Sequence, residues 1–457
     1  MLRQPRERAQ CGPALERGLR QERSPAWARA LGQGMGLAMA LACVYFLAAR
    51  LSFALLSEAE AVPVLWPASG VAAGVLIALG RDARAAVAAG VLAATVAANL
   101  LEGRPVWVAL CFGLCNAGEA LLTAWLVDRW CGRPFKFDDW HGLWGFLAAA
   151  ALASGTAAFG AAVAVHQLPA AAPLHEVWRV WAAADGLGIV IVAPLLVGLY
   201  RLAFEPMPRS EALEGAAALG LLAAASAALF AAPPGAPLSH VPPAALFPFL
   251  LWIAARCRPV LAAAAVLVVS AVLVWATTFR LGQLGGADLA VPTVQTMLLI
   301  GSLCTLTLSA LFAERRRNEA ALRESNERLR LALGGAELGV WSVDLATDAF
   351  ESDERDGCIN GHDPAGPPRT LTEVRRVVHP EDLSRLDAAF AIARQTGTPC
   401  RTEYRVLPRG CREAAPARWV AVEGNAVRDG AGRPVRLLGV TRDITERKRA
   451  EQALAER

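Results

Sequence analysis

The chain has 457 residues, of which 55% are hydrophobic and 19% are charged, with a net charge of +4. Soluble domains are about 45–50% apolar and about 25% charged, so a purely soluble enzyme, a disordered chain and a small disulfide scaffold are excluded. Residues 30–313 contain long stretches almost free of charge, whereas residues 314–457 are densely charged. The sequence therefore predicts a membrane part followed by a soluble part.

Residues 1–29 form a basic tail, with seven arginines against three glutamates. Such a tail beside an apolar helix sets membrane orientation more often than it binds nucleic acid, so we expect no nucleic-acid partner. The ten cysteines include no C-x-x-C pair. Cys111 and Cys115 lie four residues apart on a hydrophobic helix, where packing is the simpler interpretation, and no metal site is predicted.

Ten low-charge stretches meet or approach the length of about 20 apolar residues that a membrane-spanning helix needs. They are 30–49, 61–80, 85–101, 105–127, 142–165, 180–200, 215–232, 241–255, 259–279 and 289–313. The stretch 241–255 is the weakest because it is short and contains three prolines. We expect a multi-pass α-helical bundle of about ten spans over residues 30–313, with the lipid bilayer as its surroundings.

The loops between these stretches predict the orientation of the bundle. With the N-terminus in the cytoplasm, each inner loop contains two or three basic residues. The outer loops contain at most one each, at Arg50, Arg104, Arg179 and Arg280. This asymmetry follows the positive-inside rule. It predicts that both termini lie in the cytoplasm. Because the composition, rich in Ala and with Arg in place of almost all Lys, is typical of a GC-rich bacterial genome, we expect the membrane to be a bacterial inner membrane.

Polar residues inside the predicted spans are the candidate functional residues, because ionisable groups in hydrocarbon usually face a cavity or a partner. Asn116 and Glu119 share a face of the fourth span, and Asp185 lies in the outer half of the sixth. Asn99 and Glu102 close the third span, near the outer face.

Two interpretations of these groups remain open. The first is a pocket, open to the periplasm, that binds a small ligand through Trp66, Ser69, Asn116, Glu119 and Asp185. The second is a buried carboxylate that pairs with Arg50, Arg104 or Arg179 and only locks helices together. Gly186 and Gly188, next to Asp185, are expected to permit close helix packing.

The run WPASG at 66–70 resembles the WPxxG hallmark of the first subfamily of bacterial MASE-type membrane-associated sensor domains. Four further segments fit the same family in order, at 116–122, 185–195, 247–252 and in the last span up to Arg316. The resemblance covers residues 30–315. It implies a sensory input module for histidine kinases and cyclic-dinucleotide enzymes, and it does not name a ligand.

Residues 314–333 form a charged helix that links the two parts of the chain. Leu322, Asn326, Leu329 and Leu333 follow a 4-3-4 spacing, which is typical of a coiled-coil seam with one polar inner residue. This predicts a parallel homodimer in which the last span continues into a helical rod and Asn326 takes part in signal relay. The alternative is a solvated helix with leucines placed by chance.

The soluble part, residues 334–446, changes to the period of β-strands. Strands are predicted at 339–345, near 349–350, at 400–407, from 418 and at 435–441, with short helices over 371–395. This order predicts an α+β domain with a five-stranded antiparallel sheet. Thr445 is expected to be the N-cap of an outgoing helix at 447–457, so that Asp443 and Thr445 join the sheet to that helix and relay the signal.

This part resembles a PAS domain with its PAC segment. The matching pieces are Trp341, the turn His379–Asp382, and the run from Arg428 to Thr445. The resemblance implies a module for dimerisation and relay. The segment 350–368 departs from the family pattern, so either the pocket is remodelled or the domain holds no ligand.

No cofactor is expected in the PAS-like domain. Cys358 lies in a GCIN context, unlike the cysteine run of flavin-photoadduct domains. His362 and His379 lie in a polar loop and a helix-leading turn, where histidines are solvated or capping groups more often than haem ligands.

No catalytic residue is predicted. The chain contains neither a phosphoacceptor histidine motif, nor an ATP-lid motif, nor the signatures of cyclic-dinucleotide enzymes. The leading hypothesis is a membrane-bound sensory protein of a two-component or related system, with a cytoplasmic signalling output partner. The alternatives are the sensory part of a histidine kinase or diguanylate cyclase, and a transporter with a regulatory PAS domain.

Overall fold

The computed structural model describes residues 26–55, 63–168, 172–233, 235–281, 291–362, 368–407 and 417–456. The chain divides into two compact units, Met1–Asn318 and Glu319–Arg457. The predicted basic tail lies outside the described residues up to position 25, and the first helix begins at Ala26.

In the described part of the first unit all regular secondary structure is helical. Its helices are α1 (Ala26–Ala54), α2 (Pro67–Leu79), α3 (Arg84–Leu101), α4 (Val106–Trp130), α5 (Trp140–His166), α6 (Leu174–Leu202), α7 (Arg209–Ala231), α8 (Phe247–Arg256), α9 (Pro259–Thr278) and α10 (Val291–Gly335). Eight described helices are long and apolar enough to cross a membrane. Two shorter apolar helices occupy the remaining stretches: α2, and α8 together with the 3-10 turn that precedes it, Pro243–Arg256. The prediction of a multi-pass bundle with about ten apolar segments is confirmed.

Glycines bring α2 and α6 into backbone contact. A Cβ atom on Gly188 would lie 1.9 Å from the carbonyl oxygen of Trp66, and one on Gly70 would lie 2.0 Å from the carbonyl oxygen of Gly188. A Cβ atom on Gly186 would lie 3.1 Å from the Ser154 hydroxyl. Small residues drive helix association in membranes by permitting this approach, so the predicted packing role of Gly188 is confirmed.

The helix α10 has 45 residues and contains both the last span and the predicted linker without a break. Leu322, Asn326 and Leu329 lie on its exposed portion. The apolar seam that they were predicted to form is therefore uncovered within a single chain.

The second unit contains a five-stranded antiparallel sheet. Its strands are β1 (Gly339–Asp344), β2 (Phe350–Ser352), β3 (Cys400–Val406), β4 (Arg418–Arg428) and β5 (Pro434–Asp443), in the spatial order β2-β1-β5-β4-β3. Between β2 and β3 lie the helices α11 (Glu354–Asn360), α12 (Leu371–Val374) and α13 (Leu383–Thr396). The helix α14 (Thr445–Ala455) follows the sheet. The predicted α+β fold is confirmed.

The prediction that Thr445 is the N-cap of α14 is wrong by one residue. The N-cap is Ile444, which has no capping side chain, and Thr445 is the first helical residue. The Asp443 carboxylate accepts hydrogen bonds from the Thr445 backbone N–H at 2.8 Å and from its hydroxyl at 2.6 Å. An aspartate readily bonds a backbone N–H two residues ahead, so Asp443 takes the role assigned to Thr445.

Candidate ligand site in the membrane unit

One end of the helical bundle contains a cavity of about 40 Å³. Its lining residues come from α1, α3, α4, α6, the loop between α3 and α4, and the segment before α2. They are Phe53, Pro63, Trp66, Asn99, Arg104, Phe112, Asn116, Trp181, Ala184 and Asp185. Because one water occupies about 10–15 Å³ on this measure, the cavity has room for about three waters or a ligand of a few heavy atoms.

The segment before α2 forms one wall of this cavity. It is not helical, and the Trp66 backbone N–H donates a hydrogen bond to the carbonyl oxygen of Ala184 on α6 at 3.1 Å. This bond satisfies a backbone group that would otherwise be unpaired at membrane depth. It also holds the Trp66 backbone against Ala184, whose neighbour Asp185 lines the same cavity as Trp66.

Two edge-on aromatic pairs stand at the cavity. The rings of Phe53 and Trp66 lie 5.2 Å apart, and those of Phe112 and Trp181 lie 4.7 Å apart. Edge-on packing of this kind stabilises ring positions beyond simple burial. The side walls of the cavity are therefore built from aromatic surface.

Two carboxyl groups meet at the Ser69 hydroxyl. Ser69 donates a hydrogen bond of 2.6 Å to Glu119 Oε2, and Asp185 interacts with the same hydroxyl. Glu119 is only 2% exposed, and its other oxygen has no hydrogen-bond partner. A buried carboxyl oxygen without a partner is costly, so this cluster is not explained by structural support alone.

Tyr45 connects the polar groups on the other side of the cavity. Its hydroxyl accepts a hydrogen bond from Asn116 Nδ2 at 2.9 Å and a longer one from Trp66 Nε1 at 3.5 Å. Asn99 donates to the carbonyl oxygen of Thr95, while its own side-chain oxygen is buried and unpartnered.

The structure brings the predicted residues Trp66, Ser69, Asn116, Glu119 and Asp185 into one cluster. Trp66, Asn116 and Asp185 line the cavity itself. Ser69 and Glu119 join it through their mutual hydrogen bond and the contact with Asp185.

The alternative in which an arginine neutralises these carboxyls does not match the described contacts. Arg50 forms an ion pair with Glu102, away from the cluster. The Arg104 guanidinium lies over the rings of Phe53 and Phe112, at 6.0 and 5.3 Å from their centroids. In the described part of the chain, no arginine forms an ion pair with Glu119 or Asp185.

The sequence analysis missed Tyr45 and Gln295 as site residues. Tyr45 is fully buried, and its signal was a polar aromatic residue in an apolar helix, one of three tyrosines in the chain. Gln295 is buried on α10, and its amide donates to the carbonyl oxygens of Val64 at 3.1 Å and Val180 at 3.4 Å. A glutamine inside a membrane span is a polar side chain in an apolar helix, which is the same sequence signal that identified Asn116.

The interior of the soluble unit offers much less room. Its cavity of about 20 Å³ is lined by residues that include Trp341, Asp356, Asn360 and Tyr404. The Trp341 indole lies against Gly439, where a Cβ atom would come within 2.3 Å of the ring. About one or two waters fit in this cavity as it stands.

Polar groups in this interior form a short network. Tyr404 donates to Asn360 at 2.9 Å, and Asn360 donates to Asp356 at 3.0 Å. Burial raises the pKa of Asp356 to about 6. Burial also lowers the pKa of His362, and the His379 ring caps the turn before α13 by accepting from the Glu381 N–H. Cys358 is exposed on α11.

The predicted relay residues lie at the two ends of the second unit's chain. Asn326 is exposed on α10. Thr445 accepts a hydrogen bond from the Trp419 backbone N–H at 3.0 Å while it donates to Asp443. The start of α14 is therefore hydrogen-bonded to the beginning of β4.

Comparison with known proteins matches both units. The sequence model of the MASE1 family matches residues 37–316, and that of the PAS fold matches residues 358–441. The comparison with curated proteins finds no significant match.

Several solved structures are similar to part of the chain. A sensory box histidine kinase/response regulator from Burkholderia thailandensis E264 is 33% identical over 28% of this chain and 92% of its own, with a TM-score of 0.24. The N-terminal domain of a diguanylate cyclase with PAS/PAC sensor from Marinobacter aquaeolei is 23% identical over 24% and 98%, with a TM-score of 0.22. A domain of a light and redox sensing histidine kinase from Haloarcula marismortui is 23% identical over 26% and 99%, also with a TM-score of 0.22.

The MASE1 match spans more than half of the chain and coincides with the helical bundle. The PAS match coincides with most of the sheet-containing unit. Both resemblances that the sequence motifs indicated are confirmed. The chain is a membrane-embedded sensory protein that belongs to the MASE1 family and has a PAS-fold domain after its last span.

Proposed function

We propose that the chain detects a small ligand in the cavity of the membrane unit and passes the signal through α10 to the PAS-fold domain. The cavity opens toward the periplasm of a bacterial inner membrane, and both termini are cytoplasmic, as the basic loops predict. The output is made by a separate signalling module of the histidine kinase or diguanylate cyclase class, as the MASE resemblance implies.

The contact between Gln295 and the cavity wall is the observation that carries this proposal. Gln295 lies on α10 and donates to backbone carbonyls in the segments that hold Trp66 and Trp181. A movement of either segment therefore changes the hydrogen bonds of α10 directly.

The other end of the span is attached to the opposite face of the bundle. Arg316 donates to the carbonyl oxygens of Ala255 and Cys257, the latter at 3.0 Å, and Arg317 donates to that of Asp138. Gln295 and Arg316 are separated by about 32 Å along the helix at 1.5 Å per residue, close to the hydrocarbon thickness of about 30 Å. The helix α10 therefore crosses the membrane between two polar attachments.

The relay also requires a second copy of the chain. Leu322 and Leu329 are 63% and 58% exposed on α10, at the spacing of a coiled-coil seam with Asn326 between them. We propose a parallel homodimer through this seam. A ligand shifts the dimer between two arrangements only if it binds one of them more tightly.

Cysteine cross-linking along positions 318–330 of α10 tests the relay. Gly188→Ala forces Trp66 away from α6, because the added Cβ atom would lie 1.9 Å from the Trp66 oxygen. We expect it to change which positions cross-link, while the control Gly301→Ala, which has nothing within 4 Å of its Cβ atom, leaves the pattern unchanged.

Both variants are prepared in a background without native cysteines and checked for folding by size-exclusion chromatography. An identical cross-linking pattern in folded Gly188→Ala and wild type contradicts the relay. The absence of cross-links at every position contradicts the dimer.

A further inference from the structure

The charged residues that line the cavity say more about the chemistry of its ligand than the volume of the cavity does. Arg104 and Asp185 both line it, and no described ion pair joins either of them to another group. An anion would meet the Asp185 carboxyl, and a simple cation would meet the Arg104 guanidinium. A ligand with one charge of each sign satisfies both.

Two hydrogen-bond acceptors are among the residues that line the cavity. Asn99 contributes a buried side-chain oxygen that has no hydrogen-bond partner, and Asp185 contributes its carboxyl. A primary ammonium, with three N–H donors, matches several acceptors at once, whereas a hydroxyl has one donor.

The aromatic pairs reinforce the same choice. Trp66 and Trp181 line the cavity together with Asp185. Cations are attracted to the faces of aromatic rings, and the attraction grows when water is removed. The part of the lining formed by Asp185 and these tryptophans is thus suited to an ammonium group.

Arg104 supplies the complementary group. Its guanidinium rests on Phe53 and Phe112, and the nearby Glu102 carboxylate is paired with Arg50 and forms no described ion pair with Arg104. Guanidinium forms charge-assisted, bidentate hydrogen bonds with carboxylate or phosphate. Its position on the same small cavity places that anion close to the ammonium.

We propose, building on the proposed sensory function, that the ligand is a small zwitterion with a primary ammonium next to an anionic group. The volume of about 40 Å³ limits it to the size of glycine or alanine in this state of the protein. The ammonium binds at Asp185 and Asn99, and the anionic group binds at Arg104.

Isothermal titration calorimetry of the full chain in nanodiscs tests the assignment with three probes. Glycine has both charges, glycinamide lacks the carboxylate, and propionate, which has as many heavy atoms as glycine, lacks the ammonium. Wild type is expected to bind glycine at least about tenfold more tightly than either analogue, which corresponds to about 1.4 kcal/mol per lost charge contact.

Two variants separate the two contacts. Arg104→Gln is expected to bind glycine no better than glycinamide while still rejecting propionate. Asp185→Asn is expected to lose the rejection of propionate. The matched controls are Arg179→Gln and Glu176→Gln, which neutralise exposed residues near the start of α6 and are expected to behave as wild type.

A phospholipid with an ethanolamine headgroup carries the same pair of charges, so the nanodiscs are made with and without it. Suppression of glycine binding by that lipid assigns the site to a headgroup, and unchanged binding assigns it to a free solute. Equal affinity of wild type for all three probes, or no heat with glycine at about 10 mM in lipid without ethanolamine, overturns the proposal. The cross-linking change in Gly188→Ala needs no ligand, so the sensory relay stands or falls separately.

Discussion

The side-chain amide of Gln295 donates a hydrogen bond to the carbonyl oxygen of Val64, 231 residues earlier in the chain, at 3.1 Å. The same amide reaches the carbonyl oxygen of Val180 at 3.4 Å. One side chain on the last span thus joins the two segments that present Trp66 and Trp181 to the cavity.

Replacement of Gln295 by leucine is expected to lower the free energy of unfolding of the membrane unit by about 1–2 kcal/mol, because two backbone carbonyls lose their donor. Thermal unfolding in detergent measures the loss. Thr296→Val is the matched control, since Thr296 is exposed and bonds only the carbonyl oxygen of Pro292 in its own helix. Equal melting temperatures for the two variants would show that the Gln295 contact is not stabilising.

Asp382 is expected to make the soluble unit sensitive to acid. Its carboxylate accepts from the backbone N–H and Nε of Arg405, both at 2.9 Å, and from Arg385 at 2.8 Å. The hydrogen bonds from Arg405 lower the pKa of Asp382. The resulting stabilisation is complete above the unfolded pKa of about 3.9 and is lost as the pH falls through the lower folded value.

Asp382→Asn is expected to lose about 1.5–3 kcal/mol at neutral pH and to flatten this acid dependence, because a neutral acceptor replaces a charged one. Hydrogen–deuterium exchange of β3 in the full chain reports it. Asp387→Asn removes only an exposed pair with Arg375 and is expected to change exchange little. Matching acid profiles for wild type and Asp382→Asn would refute this assignment.

Asp356 is expected to act with the opposite sign. Its folded pKa of about 6, raised by burial, lies above the unfolded value of about 3.9. The folded state therefore gains stability from the protonated form below about pH 4 and loses about 3 kcal/mol as the pH rises through 6.

Asp356→Asn stays neutral and is expected to remove this contribution, so that the loss of protection in α11 as the pH rises from 4 to 6 becomes smaller than in wild type after correction for the intrinsic rate. Asp348→Asn is the control, because Asp348 is partly exposed and asparagine tolerates its positive φ of 62°. An undiminished loss of protection in Asp356→Asn would place the titrating group elsewhere.

The capping carboxylate of α14 is expected to hold the start of the outgoing helix. Asp443→Ala removes the acceptor of the Thr445 N–H and is expected to destabilise the helix by about 1 kcal/mol, visible as faster exchange over Thr445–Ala455. Asp443→Asn keeps an acceptor oxygen and should remain close to wild type. If alanine and asparagine gave the same exchange, the cap would have no energetic role.

The site residues that the sequence revealed share one physical property. Charged and amide side chains are so costly in hydrocarbon that few occur there, and Asn116, Glu119 and Asp185 stood out for that reason. The residues that it did not reveal depend on pairing across long separations. Asn116 forms a hydrogen bond with Tyr45, which lies 71 residues earlier in the chain. Hydropathy does not indicate which faces of two helices pack against each other.

Local order in the soluble unit was predicted well where a repeating pattern existed. Alternating residues located β1, β3 and β5, because each of these strands pairs in a sheet with one buried face. The cap of α14 was misplaced because Asp443 and Thr445 are both good capping residues. The choice between them depends on a contact with β4, since the Trp419 backbone N–H donates a hydrogen bond to the Thr445 hydroxyl oxygen.

The shortness of α2 has a consequence for water. With 13 residues this helix extends about 20 Å, which is less than the roughly 30 Å of a bilayer core. The non-helical segment before it forms backbone hydrogen bonds with the Ala184 carbonyl oxygen and the Gln295 side chain. If α10 withdrew, the Val64 oxygen would have to find a new donor, and in hydrocarbon only water can supply one. The arrangement with α10 in place is then the drier one, and raised osmolality, which draws water out of crevices, would favour it over the withdrawn arrangement.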